Sequence, residues 1–112
     1  MQKPPSRLER LLDFLAASPD DTFLLFALAK EYESMGDLEK SLRHYAHLVE
    51  VDPDYVGAYY HLGKLQEKLG QPATAFATYK TGMEAARRNN DQHALSELAG
   101  AKLALGDDED FE

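Results

Sequence analysis

Few residues in this chain have types and spacings that do chemistry. His44 and His47 stand three apart, so on a helix both rings fall on one face. Two imidazoles could share a metal ion. Zinc, however, takes three or four ligands, and the chain has no cysteine and no His-Glu-x-x-His frame. No metal and no other cofactor is expected. His61 and His93 are isolated in sequence and read as surface or half-buried polar residues. Acids are plentiful, 20 of 112 residues, but none sits beside a nucleophile at convincing spacing. There is no glycine-rich phosphate loop and no Gly-x-Ser-x-Gly elbow. The sequence predicts no catalytic residue and a chain that is not an enzyme.

Charge narrows the partners. The net charge is −8, and Asp107, Asp108, Glu109, Asp110 and Glu112 carry five of the negative charges. The body is therefore only mildly acidic. No basic stripe offsets it, which argues against nucleic acid. No stretch approaches the roughly 20 apolar residues of a membrane span. Residues 8–15 are interrupted by Glu9, Arg10 and Asp13, so no signal core follows the start. With no cysteine to oxidise, the expected location is the cytoplasm. Residues 1–5 and the acidic tail 107–112 are expected to be disordered, because like charges repel and have little to bury. The tail reads as a solubilising end, with a short docking motif at Phe111 as the less favoured alternative.

The elements that position these residues are set by a repeat. Pro19-Asp20 recurs as Pro53-Asp54, and Leu28, Lys30, Glu33, Gly36 and Tyr45 recur as Leu62, Lys64, Glu67, Gly70 and Tyr79. One offset, 34 residues, relates every pair. Within the first copy, Leu24, Leu25, Leu28 and Tyr32 have the three-and-four spacing of an apolar helix stripe. Gly36 stops that helix, and Asp37 starts the next. Asp52-Pro53 closes the unit. Ser6 and Glu9 form a capping box for an earlier helix. The periodicity predicts six helices, at 6–17, 21–34, 38–50, 55–69, 72–88 and 91–105.

These residues resemble the tetratricopeptide repeat. The first copy offers Leu25, Leu28-Ala29, Tyr32, Ser41, Tyr45, Leu48 and Pro53; the second offers Tyr59, Leu62-Gly63, Gln66, Ala75, Tyr79 and Gly82. Gln66, and Arg87 in place of the closing proline, depart from the pattern. The resemblance implies an all-α superhelical solenoid with one domain over 6–106. Its parts are a half repeat (6–18), repeats at 19–52 and 53–88, and a capping helix (91–105). Leu28, Tyr32, Gly36, Tyr45, Leu62, Gly63, Gly70, Ala75 and Tyr79 are the implied core and turn positions. Lys102, at the place of Tyr32, and Arg7, at the place of Ser41, suit solvated ends. Leu11 and Phe14 fall where Tyr45 and Leu48 sit, with no helix before them.

The resemblance also implies a protein-binding scaffold whose first helices line a concave groove. Its places correspond to Phe23, Phe26, Lys30, Glu33 and Ser34, then to Gly57, Tyr60, Lys64, Glu67 and Lys68. In the cap they correspond to His93, Ser96, Gly100 and Leu103. A protein segment would lay apolar groups on the rings and acids near the lysines. The competing reading packs the rings between helices and pairs Lys with Glu as a solvated couple. The Lys and Asn clamp of some cochaperones is missing, since Phe26, Tyr60 and Ser96 occupy places where it would form. A monomer is expected. The alternative is weak self-association, end to end, through the first helix.

Overall fold

The computed structural model describes residues 4–111. It contains six helices, α1 (Arg7–Ala17), α2 (Thr22–Ser34), α3 (Leu38–Val51), α4 (Val56–Lys68), α5 (Pro72–Arg88) and α6 (Gln92–Leu105). A single 3-10 turn, Asp108–Phe111, follows them. No strand occurs among the described residues. Each helix packs on the next, and α4 also packs on α6. The result is an all-α repeat solenoid, 59 × 29 × 20 Å.

Local chemistry sets the helix ends. Ser6, Asp21, Asp37 and Asp91 each accept a hydrogen bond from a backbone N–H of the first turn they precede. Each satisfies a donor that the helix cannot. Gly36 and Gly70 take φ values of 81° and 76°, a conformation that only glycine adopts cheaply. They let Asp37 N–H reach Tyr32 O at 2.9 Å and Gln71 N–H reach Gln66 O at 2.8 Å, closing both helices. Asn90 repeats the device with φ 54°, and Asp91 N–H then meets Ala86 O at 2.9 Å. Where a closing proline is absent, α5 runs on to Arg88 and this asparagine ends it.

The core is continuous in pattern but differs between copies. One cluster joins Leu25, Ala29, Tyr45, Leu48, Ala58, Leu62 and Leu65. A second joins Tyr59, Ala75, Tyr79, Ala85, Ala86, Leu98 and Ala101. Leu11, Leu28 and Tyr32 form a third under α1. Gly63 is buried against Tyr79, whose ring lies where a Cβ on residue 63 would fall. Size is exchanged across one contact. The first copy uses Leu25 and Leu48; the second uses Tyr59 and Gly82, where a Cβ would stand 2.6 Å from the Tyr59 Cβ. The large residue of one helix thus requires the small residue of the next.

The two linkers are held unequally. The Tyr59 hydroxyl donates to Pro53 O at 2.6 Å, and Arg88 and Asn89 donate to Asp54 Oδ1 at 2.9–3.3 Å. The Arg88 and Asn89 bonds hold the Asp54 carboxyl below its usual range. In the earlier linker, one side-chain bond from a later helix is found among the described residues, joining His47 Nε2 to Asp20 Oδ1 at 2.9 Å.

Three expectations for the ends need correction or division. Residues 108–111 are ordered as a turn rather than a disordered tail, and Phe111 stacks on Phe76 with centroids 4.4 Å apart. The repulsion among the acids is offset by Lys80 and Lys102, which no local reading of the tail contains. Lys102 is not solvated: it is half-buried, 4.7 Å over the Phe76 ring. Leu11 and Phe14 part company. Leu11 is buried against Leu28 and Tyr32, whereas Phe14 is 62% exposed. Arg7 is exposed and pairs with Glu31 at 3.2 Å. Pro4 and Pro5 lie outside any helix, and residues 1–3 and 112 fall outside the described residues.

Candidate functional site

Helices α2, α4 and α6 stand side by side and present a shared face. α2 and α4 are joined by the Phe26–His61 ring contact at 5.7 Å and by Lys68 with Glu33 at 4.0 Å. Between α4 and α6 lies a depression of about 190 Å³, lined by Val56, Gly57, Tyr60, His61, Ala94, Glu97 and Leu98.

The residues singled out from the sequence divide into two groups. Phe23, Lys30, Ser34, Gly57 and Lys68 on α2 and α4 are exposed or half-buried, as are His93, Ser96, Gly100 and Leu103 on α6. Phe23 is 72% exposed and Leu103 71%. Tyr60 is half-buried, and Lys64 Nζ sits 5.5 Å from its ring centroid. Phe26, Glu33 and Glu67 are drawn inward instead. Phe26 packs among Tyr45, Tyr55 and His61 at 5.6–5.8 Å. Glu67 accepts a hydrogen bond from the Tyr79 hydroxyl and pairs with Lys64 at 3.6 Å. Glu33 pairs with Lys68. Lys30 makes no ion pair among the described residues.

His61, read from the sequence as a surface or half-buried polar residue, is half-buried, and its place among the rings of two helices was not foreseen. Its ring stacks on Tyr45 at 5.5 Å with a 5° interplanar angle, and Phe26 and Tyr60 meet it edge-on. Burial and then the Lys30 charge lower its pKa, against smaller opposing effects of Glu33 and Glu97. The first copy has Ala27 at the matching place. That exchange of a methyl for an imidazole was the available signal. Burial also raises the Tyr45 and Tyr79 pKa values well above the phenol range, so both stay neutral.

The two other histidines of interest do not converge. His44 is half-buried, 5.2 Å from the Tyr32 ring, and its Nδ1 meets Lys40 O at 2.7 Å. His47 turns to Asp20 and Glu50. No group of three potential metal ligands occurs among the described residues. No helix among them is long and apolar enough to cross a membrane.

Comparison with known proteins agrees with this architecture. A TPR repeat model matches residues 29–70, and a tetratricopeptide repeat model matches residues 56–89. A TPR repeat-containing protein of Pseudomonas aeruginosa is 33% identical over 91 residues, covering 81% of this chain and 87% of the relative. The crystal structure of a tetratricopeptide repeat domain protein of Salinibacter ruber is 46% identical, with a TM-score of 0.73 over 82% of this chain and 99% of that one. The type III secretion translocator chaperone SycD of Yersinia enterocolitica is 12% identical. Its TM-score of 0.79, over 88% of this chain and 68% of its own, shows likeness of fold alone.

Proposed function

The chain belongs to the tetratricopeptide repeat family, and from that premise we propose that it holds a segment of another protein along the face of α2, α4 and α6. Repeats of this family are protein-interaction modules, so the chain is an interaction scaffold in the general sense. The finer reading rests on one observation. Phe23 and Leu103 are exposed on α2 and α6, Lys64 stands by the Tyr60 ring on α4, and Lys30 has no ion pair among the described residues, which supports a shared face able to take a ligand. An apolar side chain fits against the rings, and an acid fits near Lys30. Glu33 and Glu67 contribute indirectly, by pairing with Lys68 and Lys64. We place this activity in the cytoplasm, with which the absence of cysteine is compatible. The mildly acidic body supports a protein rather than a nucleic-acid partner.

The test starts from a partner isolated from the source cells. Its affinity is measured by titration calorimetry with the wild-type chain and with Lys30→Glu/Lys64→Glu. A loss of tenfold or more, with chemical-shift changes confined to α2, α4 and α6, supports the reading. Unchanged affinity sinks it. A second reading, end-to-end self-association through α1, has Phe14 behind it, since a ring 62% exposed is costly to leave in water.

A further inference from the structure

The acidic segment after α6 is bound to a site that is separate from the face just described. Phe111 stacks on Phe76 at 4.4 Å and 24°. Asp108 Oδ1 lies 3.6 Å from Lys80 Nζ and 3.6 Å from Lys102 Nζ, so one carboxylate spans two helices. Both lysines also stand over the Phe76 ring, at 5.9 Å and 4.7 Å. The segment is shaped for this contact. Asp110 N–H donates to Asp107 O at 3.0 Å, and Asp107 N–H donates to the Asp110 carboxylate at 2.7 Å. The two bonds close a turn that puts Asp108 and Phe111 on one side. Beneath it, Phe76 is only 4% exposed.

Without Asp108 and Phe111, this patch would be an aromatic ring between two cations. It would then match a ligand that offers a carboxylate and, three residues on, an aromatic ring. The protein's own segment has that chemistry and shows how it seats. We propose that the Phe76–Lys80–Lys102 patch is a second docking site, for a segment of a partner protein of the form acid-x-x-Phe, and that Asp108–Phe111 occupies it as a tethered competitor. The tether sets an effective concentration in the millimolar range. A partner segment therefore engages only when its local concentration is high or when it is also held elsewhere. The charged part of the contact is solvent-facing, with Lys80 and Asp108 side chains 50% and 62% exposed. Binding is thus salt-sensitive and exchange is fast.

The experiment uses the full chain and a fluorescent peptide with the sequence of residues 106–112. Wild type, Phe111→Ala and Phe76→Ala/Phe111→Ala are titrated by anisotropy at low and high salt. Asp108→Asn provides a second way to free the site if Phe111→Ala disturbs folding, which circular dichroism reports. The expected result is binding at least tenfold tighter to Phe111→Ala than to wild type. It should weaken with salt and be lost with Phe76→Ala/Phe111→Ala or with a peptide whose Phe is Ala. Equal binding to wild type and Phe111→Ala, or none at millimolar peptide, overturns the proposal. So does a wild-type dimer that Phe111→Ala abolishes, because the site would then serve two copies of this chain.

Discussion

The Tyr79 hydroxyl donates a hydrogen bond to the Glu67 carboxylate. Tyr45 and Glu33 occupy the same places in the first copy, yet the Tyr45 hydroxyl is buried with no partner among the described residues. Glu33 turns to Lys68 instead. The surroundings of the two rings also differ one helix away. Gly63 leaves room for the Tyr79 ring, within 2.2 Å of where its Cβ would be, whereas Ala29 carries a methyl at the matching place.

The two tyrosines should therefore respond differently to loss of one oxygen. Tyr79→Phe removes a bond to a half-buried carboxylate and is expected to cost about 1–2 kcal/mol. Tyr45→Phe removes an unsatisfied buried hydroxyl and should be neutral or stabilising by up to about 1 kcal/mol. Truncating either residue to Ala should cost about 3–5 kcal/mol. Urea unfolding followed by circular dichroism measures all four, and Tyr45→Phe proving the costlier of the two Phe variants would contradict this account.

Tyr59 and Gly82 offer a test of size exchange. Gly82→Leu alone forces a side chain into the Tyr59 Cβ and should destabilise by about 1–3 kcal/mol. Tyr59→Leu alone leaves a gap. Both together restore the Leu25 and Leu48 arrangement of the first copy. A double-mutant cycle is expected to show coupling above about 1 kcal/mol, and simple additivity would show that the two positions are independent.

His61 should make stability depend on pH. Its folded pKa is lowered from 6.5, so the unfolded chain takes up the proton first as pH falls. The contribution is fully present above the unfolded value and is lost progressively as pH drops through the folded one. Melting temperatures at pH 7.5 and pH 5 should differ less in His61→Gln than in wild type. An equal or larger difference in the variant would rule out this histidine as a source.

Phe14 bears on self-association. If α1 joins two copies, sedimentation should show a concentration-dependent dimer in wild type that Phe14→Asp removes, without affecting a partner bound by Lys30 and Lys64. A wild-type monomer at the highest concentration reached would end that reading.

Much of the architecture was legible because punctuation and period agree. Gly36 and Gly70 mark two helix ends, and the helix limits in the structure lie within one or two residues of those read from spacing. The departures from the family pattern are accommodated locally. Gln66 is buried but accepts a 2.6 Å bond from the Thr78 hydroxyl, and Asn90 ends α5 where a proline is lacking. The site was less legible. The sequence left Phe26 and Glu67 between two readings, facing the groove or packed and paired within the fold, and they turn inward because Tyr45, His61 and Tyr79 are there to receive them. The acidic segment was misread for a similar reason. Its partners, Phe76, Lys80 and Lys102, are set on two earlier helices, and no property of residues 107–112 points to them.

The unequal linkers have a consequence for how the molecule opens. Residues 52–55 are tied by Tyr59, Arg88 and Asn89, which lock α4 and α5 around the joint. The joint before α2 has one side-chain hydrogen bond to a later helix, from His47, and α1 packs chiefly on α2. In a one-dimensional array, unzipping starts where neighbours grip least. Amide protons of α1 and the beginning of α2 should then trade with deuterium first. Those of α4 and α5 should wait for global unfolding.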